Sequence, residues 1–200
     1  MISSPIHDAA VALSASRGEV FCSGVILTPK VVLTAAHCVW RNGIVKTPFA
    51  VVSGKDVRFG GTYARVQSAV VHPAYEGFFG GPDVAVLVLA EPVASSSVGL
   101  ELSEVDIRPG DDIAFIGFGE TGDNPLGLRH TGTASITRVD GQFFSYEPST
   151  CFGDSGGPII VATPSGPQIV GVVSSANLLC REASATRIAG ITEWIHRTAN

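Results

Sequence analysis

Turn-forming residues interrupt this chain roughly every eight to twelve residues, and the segments between the turns are short and rich in β-branched residues. The apolar segments include "GVIL", "VVLTAA", "DVAVLVL", "IAFIGFG" and "IVGVVSS", and the turns include "LTPK", "RNG" and "RPGDD". Because no helical pattern of about 10 to 15 residues separates consecutive strands, a parallel βαβ sheet is not expected. The pattern predicts an all-β protein with one helix at its end, in "GITEWIHRTAN", where Thr192 can cap the first turn.

The composition is that of a compact globular protein. Of 200 residues, 45% are hydrophobic and 16% are charged, which suits one large domain or two small barrels. The net charge is −5 and Lys and Arg form no cluster, so neither nucleic acid nor an anionic membrane is expected as a partner. No apolar run approaches the roughly 18 residues of a membrane span, and we predict a soluble chain.

The first residues, "MISSPIHDAA", lack the basic region and the apolar stretch of a signal peptide. The chain is therefore either cytosolic or the mature or excised part of a longer protein. Its 4 cysteines are widely spaced and contain no CxxC pair, which fits disulfides better than a metal site. Four buried thiols remain the alternative at this point.

Ser155 in "CFGDSGGPII" is the first candidate catalytic residue. A serine hydroxyl becomes a useful nucleophile only when a base takes its proton and hydrogen-bond donors stabilise the oxyanion formed on attack. Gly153 allows the backbone to turn so that its N–H and that of Ser155 face one point, which makes these two residues the candidate oxyanion hole. The alternative is an ordinary serine in a Gly-rich turn.

The same short segment, "GDSGG", also matches the G-x-S-x-G motif of α/β-hydrolases. That motif requires an acidic residue and then a histidine after the serine. Only Glu182, Glu193 and His196 lie downstream, and the parallel βαβ framework is missing. This alternative is therefore disfavoured.

His37 and Asp83 are the candidate partners of Ser155. His37 in "VVLTAAHCVW" could act as the general base, although a histidine at the end of a strand is often structural. Asp83 in "GGPDVAVLVL" heads the most apolar run, where an unpaired charge is costly, so it could orient the imidazole. A turn-capping aspartate after Pro82 is the alternative. Together the three occur in the order His, Asp, Ser, which is the order of the chymotrypsin arrangement.

With these residues in place, the sequence resembles the trypsin/chymotrypsin family of serine proteases over nearly its whole length. The matching segments are "FCSGVILTPKVVLTAAHCV", "VVHPAY", "DVAVLVL", "IGFG", "CFGDSGGPII", "IVGVVSSA" and "ITEWI". The resemblance implies one protease domain over residues 1–200, built from two six-stranded antiparallel Greek-key β-barrels and a C-terminal α-helix. The barrels would span about residues 1–95 and 100–189, and the helix about 190–199.

The resemblance further implies a serine endopeptidase whose active site lies between the barrels, with His37 and Asp83 from the first and Ser155 from the second. His37 would act as base and then as acid, and Ser174 would hydrogen-bond Asp83. An extended peptide would pair with the backbone at residues 174–176, and attack by Ser155 would give an acyl-enzyme that water hydrolyses. Polypeptides are the expected substrates, protein protease inhibitors are further expected partners, and a monomer without a cofactor is expected.

The family pattern assigns the cysteines as two disulfides, Cys22 with Cys38 and Cys151 with Cys180. The first would hold the loop of His37 and the second a wall of the specificity pocket. Disulfides favour an oxidising compartment. We therefore expect secretion or periplasmic export, with the signal segment not included in this chain.

The specificity pocket departs from that of trypsin. By the resemblance its base is Ser149, so no aspartate is present to bind Arg or Lys. Ala176 and Ala183 stand where the family has glycines, although the loop between them leaves the alignment of Ala183 open. Their methyl groups would narrow the pocket, and Phe152 would flank its mouth. These residues predict a preference for small or medium apolar side chains before the scissile bond.

Two further departures concern metals and activation. The segment "VSGKDVRFGGTYARV" lacks the paired glutamates of the family's calcium loop, so no metal site is expected. Active members also have a free "IVGG"-like N-terminus that pairs with the aspartate before the catalytic serine, here Asp154, and aligned on Cys22 that end would precede Met1. A buried Asp154 without a cation is costly, so it could turn outward and misalign the Gly153 N–H, giving a zymogen-like site, unless another residue pairs with it.

Two other functional classes fit the same fold. One is a catalytically silent protein-binding module, although such relatives usually lose a triad residue and this chain keeps all three. The other is a hydrolase of non-peptide esters with the same triad. Comparing the turnover of peptides with that of esters distinguishes a peptidase from an ester hydrolase. Covalent labelling of Ser155 distinguishes both enzymes from a silent module.

Overall fold

The computed structural model describes residues 4–77, 80–93, 99–120, 122, 125–148 and 150–199. In this part of the chain the backbone is mainly extended, with strands numbered here β1 to β15 in chain order, two α-helices and one short 3-10 helix. The prediction of an all-β protein with a C-terminal helix is therefore confirmed.

The first barrel is a closed sheet of six antiparallel strands in the order β1-β2-β3-β8-β7-β6. Its strands are β1 Ala10–Ser16, β2 Glu19–Thr28, β3 Val31–Thr34, β6 Ala50–Ser53, β7 Thr62–Val71 and β8 Ala85–Leu89. A separate hairpin is formed by β4 Trp40–Arg41 and β5 Ile44–Val45. Segments that contain Gly or Pro follow β1, β2, β6, β7 and β8 and end those strands, whereas β3 leads into the 3-10 helix.

The second barrel is also closed, since β13 pairs with both β10 and β14 in the order β13-β10-β11-β12-β15-β14. Its strands are β10 Asp112–Gly117, β11 His130–Asp140, β12 Phe143–Glu147, β13 Pro158–Thr163, β14 Gly166–Ala176 and β15 Ala183–Arg187. A two-residue strand, β9 Glu101–Leu102, pairs in parallel with β14. The predicted pair of six-stranded antiparallel barrels is thus confirmed. Between the predicted barrels, at about residues 1–95 and 100–189, residues 96–98 lie outside the described residues.

Each barrel buries its own apolar core, and a third cluster joins the two. Leu13, Val51 and Leu87 lie in the core of the first barrel. Ile136 and Phe144 lie in the core of the second. The joining cluster brings residues of β3 and β8 into contact with residues of β14 and of the C-terminal helix. Burial of these apolar side chains is the main favourable contribution to folding, and it holds the facing edges of the barrels together.

The helices are α1 Ser4–His7, the 3-10 helix Ala36–Cys38 and α2 Thr192–Ala199. In α2 Thr192 is the first helical residue, and its hydroxyl donates to a carboxylate oxygen of Glu104. Ile195 is fully buried against the cluster that joins the barrels. No helix in the described part of the chain has the length and apolar character needed to cross a membrane.

Candidate active site

His37 lies in the 3-10 helix that follows β3. Ala35 and Ala36, which precede it, are fully buried, so the chain is anchored just before the histidine. The residue after it, Cys38, is joined by a disulfide to Cys22 on β2, with a sequence separation of 16. Packing on one side and a covalent bond on the other therefore define the position of the His37 backbone.

Asp83 contacts His37 through both of its carboxylate oxygens. The His37 Nδ1 lies 2.7 Å from Asp83 Oδ2, and the backbone N–H of His37 donates to Asp83 Oδ1 at 2.9 Å. Only 6% of Asp83 is exposed. Because an ionised carboxylate only accepts hydrogen bonds, this contact places a proton on Nδ1 and leaves Nε2 as the acceptor in the neutral ring.

Ser174 supplies a further donor to the same carboxylate. Its Oγ donates to Asp83 Oδ2 at 2.6 Å, and the Thr186 hydroxyl donates to the backbone carbonyl of Asp83 at 3.2 Å. Burial by itself would raise the pKa of the Asp83 carboxyl, but the hydrogen bonds and charge of His37 and the bond from Ser174 outweigh it, so the pKa lies below its ordinary value. Asp83 is therefore an anion over the neutral pH range.

Ser155 lies across the cleft from His37, in the loop between β12 and β13. Its Oγ donates to the carbonyl oxygen of Ser174 at 3.4 Å, a long bond, and the structure has no hydrogen bond between the described side chains of Ser155 and His37. Both residues nevertheless line one cavity of about 330 Å³, together with Phe152 and Gly153. Such bonds are often long before a substrate is bound, so the arrangement is compatible with proton transfer from Ser155 to His37.

A second cavity, of about 310 Å³, lies on the other side of His37. It is lined by Asp83, Ser174 and Tyr75 among others. Burial and the neighbouring Asp83 carboxylate raise the pKa of Tyr75 to about 12, so its phenol is neutral at physiological pH. The Tyr75 ring also packs edge-on against Trp40, with ring centroids 5.4 Å apart. His37 thus separates two concave regions of the cleft.

The backbone at Gly153 has a conformation that favours glycine. Its φ is 94°, and a Cβ at this position would lie 2.4 Å from Leu126 Cδ1 and 2.9 Å from the Gly119 Cα. The N–H groups of Gly153 and Ser155 donate to no acceptor among the described residues. Two unused donors flanking the candidate nucleophile are what an oxyanion hole requires.

Asp154, between these two donors, is fully buried. It does not turn outward; the structure instead shows the alternative, in which another residue pairs with it. Its Oδ1 lies 2.8 Å from His130 Nε2 and accepts from the Gly119 N–H at 2.8 Å, and its Oδ2 accepts from the Cys151 N–H at 3.0 Å. The sequence reasoning did not identify His130, which stands 24 positions from Asp154 and belongs to no motif.

Both disulfides implied by the family pattern are present. Cys22 is bonded to Cys38, and Cys151 is bonded to Cys180 with a sequence separation of 29. The described residues place one set of metal-ligand types together, namely His37 with the disulfide pair beside it. Because the two sulfurs of that pair are bonded to each other, they are not available as thiolate ligands.

The expected pocket residues fall on adjacent strands. Ala176 at the end of β14 is the direct partner of Ala183 at the start of β15, and Ala183 is 2% exposed. The side chain of Phe152 is largely exposed near the mouth of the cleft, with 61% of the residue accessible. Ser149, expected at the base of the pocket, lies outside the described residues.

Comparison with known proteins adds a second line of evidence to this geometry. The Trypsin family model matches residues 3–195. The chain is 30% identical over 189 residues to a trypsin of Saccharopolyspora erythraea, covering 84% of this chain and 81% of that protein. It is 29% identical over 209 residues to chymotrypsin-C of Rattus norvegicus, covering 88% and 76%.

The fold agrees with the sequence comparisons. The structure of neuropsin, a serine protease expressed in the limbic system of mouse brain, superposes with a TM-score of 0.78 at 18% identity, covering 98% of this chain and 96% of that one. The family model matches nearly the whole chain, and the fold has two closed barrels. A histidine, an aspartate and a serine lie together between the barrels. The chain belongs to the trypsin family of serine endopeptidases.

Proposed function

We propose that this protein cleaves peptide bonds with Ser155 as nucleophile, His37 as general base and Asp83 as the group that orients and stabilises the histidine. The observation that carries the proposal is the pair of contacts between His37 and Asp83, at 2.7 Å and 2.9 Å, in a histidine that shares a cavity with Ser155. The contacts hold the imidazole so that Nε2 can accept the Ser155 proton.

In the first step the Ser155 Oγ bonds to the peptide carbonyl carbon while its proton passes to His37 Nε2. The imidazolium is stabilised by the ionised Asp83, and the carbonyl oxygen, now negative, accepts hydrogen bonds from the N–H groups of Gly153 and Ser155. His37 then donates the proton to the leaving nitrogen as the C–N bond breaks. A water molecule then attacks the acyl carbon while His37 Nε2 takes its proton. The bond from the acyl carbon to Ser155 Oγ breaks, and His37 returns the proton to Ser155.

Covalent labelling by a fluorophosphonate tests this assignment directly. We expect mass spectrometry to find one adduct on the peptide containing Ser155, and none in the Ser155→Ala variant. The reaction needs both an activated hydroxyl and a formed oxyanion hole, so it also tests the zymogen-like state expected from the sequence. Labelling of the wild type would exclude that state and the silent binding module, whereas a lack of labelling would overturn the proposed activity for this chain.

We further propose a preference for small or medium apolar residues before the scissile bond. The support is that Ala176 and Ala183 are register partners on β14 and β15, and that each carries a methyl group at a position where the family resemblance implies a glycine. Ala176→Gly is expected to raise the ratio of kcat/KM for cleavage after Phe to kcat/KM for cleavage after Ala by roughly 10-fold. One methyl group in a hydrophobic pocket changes substrate discrimination by about this factor. Best cleavage after Arg in a panel of short peptides would overturn this preference.

The proposed substrates are polypeptides, which would bind in extended form beside Ser174–Ala176 at the end of β14. Protein protease inhibitors that present a similar extended segment are proposed as further partners. The two disulfides support a site of action in an oxidising compartment, by secretion or periplasmic export. Faster turnover of non-peptide esters than of every peptide in the panel would favour the ester-hydrolase alternative instead.

A further inference from the structure

The carboxylate of Asp154 is held in a small polar site beneath the candidate nucleophile. Its side chain is 1% exposed. Two backbone N–H groups, of Gly119 and Cys151, donate to its two oxygens at 2.8 Å and 3.0 Å. Burying a carboxylate is costly unless its charge and lone pairs are compensated, and two neutral donors compensate only part of that cost.

The third contact comes from His130, the first residue of β11. Its Nε2 lies 2.8 Å from Asp154 Oδ1, and its side chain is 9% exposed. Because an ionised carboxylate only accepts hydrogen bonds, the proton at this contact is on Nε2. Among the ion pairs of the described residues, this is the one that Asp154 makes.

The carboxylate cannot shift easily without moving the backbone on either side. A Cβ at Gly117 would lie 1.9 Å from Asp154 Oδ1, and a Cβ at Gly119 would lie 2.6 Å from its Cγ, so the carboxylate packs directly on the end of β10. Gly117 is the register partner of His130, which places the imidazole on the adjacent strand. The Phe115 ring lies edge-on to the imidazole, with ring centroids 6.2 Å apart.

Asp154 is covalently linked to both candidate oxyanion donors, since it lies between Gly153 and Ser155. Its own backbone is also anchored, because its N–H donates to the Cys151 carbonyl at 3.1 Å and its carbonyl accepts from the Gly157 N–H at 2.9 Å. The Asp154 carboxylate also accepts from the Cys151 N–H, so the side chain and the backbone of Asp154 both close the turn over residues 151–154, in which Gly153 lies. Moving the carboxylate out of its site would break one of the two hydrogen bonds that hold this turn.

We propose that His130 is a positioning residue for catalysis, which acts by donating a hydrogen bond from Nε2 to the buried carboxylate of Asp154 and so aligns the Gly153 and Ser155 N–H groups. His130 does not touch the substrate; it acts through Asp154. The inference rests on the proposed function, because it concerns the oxyanion hole of that site. It identifies within this chain a third hydrogen-bond donor to the buried Asp154 carboxylate.

The test compares His130→Leu, which keeps apolar bulk but has no donor, with His130→Gln, whose amide can place an N–H near the position of Nε2. For each folded variant, the rate of fluorophosphonate labelling and the kcat and KM for one peptide are measured per mole of folded protein. His130→Leu is expected to lower kcat and the labelling rate on the order of 100-fold with KM nearly unchanged, the scale of losing an oxyanion donor. His130→Gln is expected to recover activity to within about 10-fold of wild type.

If His130→Leu does not fold, the comparison moves to His130→Gln against His130→Asn, whose shorter amide does not reach the same point. A labelling rate in His130→Gln well above that in His130→Asn would support the proposal. Equal rates in that pair, or a folded His130→Leu that labels as fast as wild type, would overturn the role of His130 while leaving the proposed protease activity intact. A wild-type protein that does not label at Ser155 would overturn both.

Discussion

The backbone N–H of Ser23 donates a hydrogen bond to the carbonyl oxygen of Ser155 at 2.8 Å, so a strand of the first barrel holds the loop of the second barrel directly. The Ser23 side chain adds to this contact. Its Oγ donates to the Gly153 carbonyl at 2.8 Å and accepts from the Phe118 N–H at 3.0 Å, and the residue is fully buried. The position of the candidate nucleophile therefore depends on the interface between the barrels.

Ser23→Ala is expected to reduce both stability and activity. It leaves the Gly153 carbonyl and the Phe118 N–H without their side-chain partner in a buried site, which costs about 1 to 3 kcal/mol of unfolding free energy. We expect kcat to fall, because the Gly153 carbonyl belongs to the peptide group next to the oxyanion donors. Urea unfolding and steady-state kinetics measure the two effects.

Ser14→Ala is the matched control for Ser23→Ala. Ser14 is also fully buried in the first barrel, and its Oγ donates to the Ala50 carbonyl at 3.2 Å, away from the cleft. It should lower stability by about 1 kcal/mol and leave kcat per folded molecule unchanged. An equal loss of kcat in both variants would contradict a specific link between Ser23 and the catalytic loop.

Gly119→Ala is expected to displace the buried Asp154. The added Cβ would lie 2.6 Å from the Asp154 Cγ and 2.7 Å from its backbone N, so the loop before Ser155 must move. We expect slower labelling of Ser155 by roughly 10-fold or more, since the oxyanion donors move with Asp154. Gly60→Ala is the control, because a Cβ at that position would meet nothing within 4 Å. If Gly119→Ala were labelled as fast as the wild type, the packing of Gly119 against Asp154 would not matter for the oxyanion donors.

The hydrogen bonds to Asp83 predict a specific dependence of stability on pH. Because its pKa is lowered on folding, the ionised Asp83 stabilises the folded state above the ordinary pKa of an aspartate, about 3.9, and that contribution is lost as the pH falls through the lower folded pKa. Asp83→Asn removes this contribution. The difference in unfolding free energy between wild type and Asp83→Asn should therefore be constant near neutral pH and shrink below about pH 4.

The same Asp83→Asn variant should lower kcat by roughly 10⁴-fold at neutral pH, since the imidazole loses the partner that sets its tautomer and stabilises its charge. Ser174→Ala keeps the carboxylate and removes one donor to it, so a smaller loss is expected. Kinetics at pH 7 compare the two variants. A Ser174→Ala variant as inactive as Asp83→Asn would contradict this ranking of the two contacts.

The disulfides are expected to stabilise the fold by different amounts. The separations of 16 and 29 residues correspond to about 3 and 3.6 kcal/mol on the chain-entropy description of a cross-link. Double alanine variants of each pair should therefore unfold at lower urea concentration, with the Cys151 and Cys180 pair losing slightly more. A reductant, which breaks both disulfides, should make the wild type unfold at a lower urea concentration than either variant. If neither variant nor the reduced wild type unfolded at a lower urea concentration, the disulfides would have no stabilising role.

Several features of this protein could be predicted from the sequence because they are encoded locally. The spacing of turns and β-branched segments predicted the all-β fold, since each strand must end where a turn residue releases the chain. The segments around His37, Asp83 and Ser155 each carry a motif or an unusual ionisable residue, so they could be selected one at a time. The family pattern then correctly paired the cysteines.

The tertiary structure decided the contacts that depend on strand register and on the packing of one barrel against the other. Antiparallel pairing of β10 and β11 sets His130 opposite Gly117. In this register the imidazole of His130 lies beside the Asp154 carboxylate, 24 positions away in the sequence. Ser23 and Gly153, whose carbonyl accepts the Ser23 hydroxyl hydrogen bond, are 130 positions apart in the sequence, and no sequence pattern records this contact. Local residue preferences act over a few neighbours, whereas a buried charge is compensated by whichever donor the closed barrel places beside it.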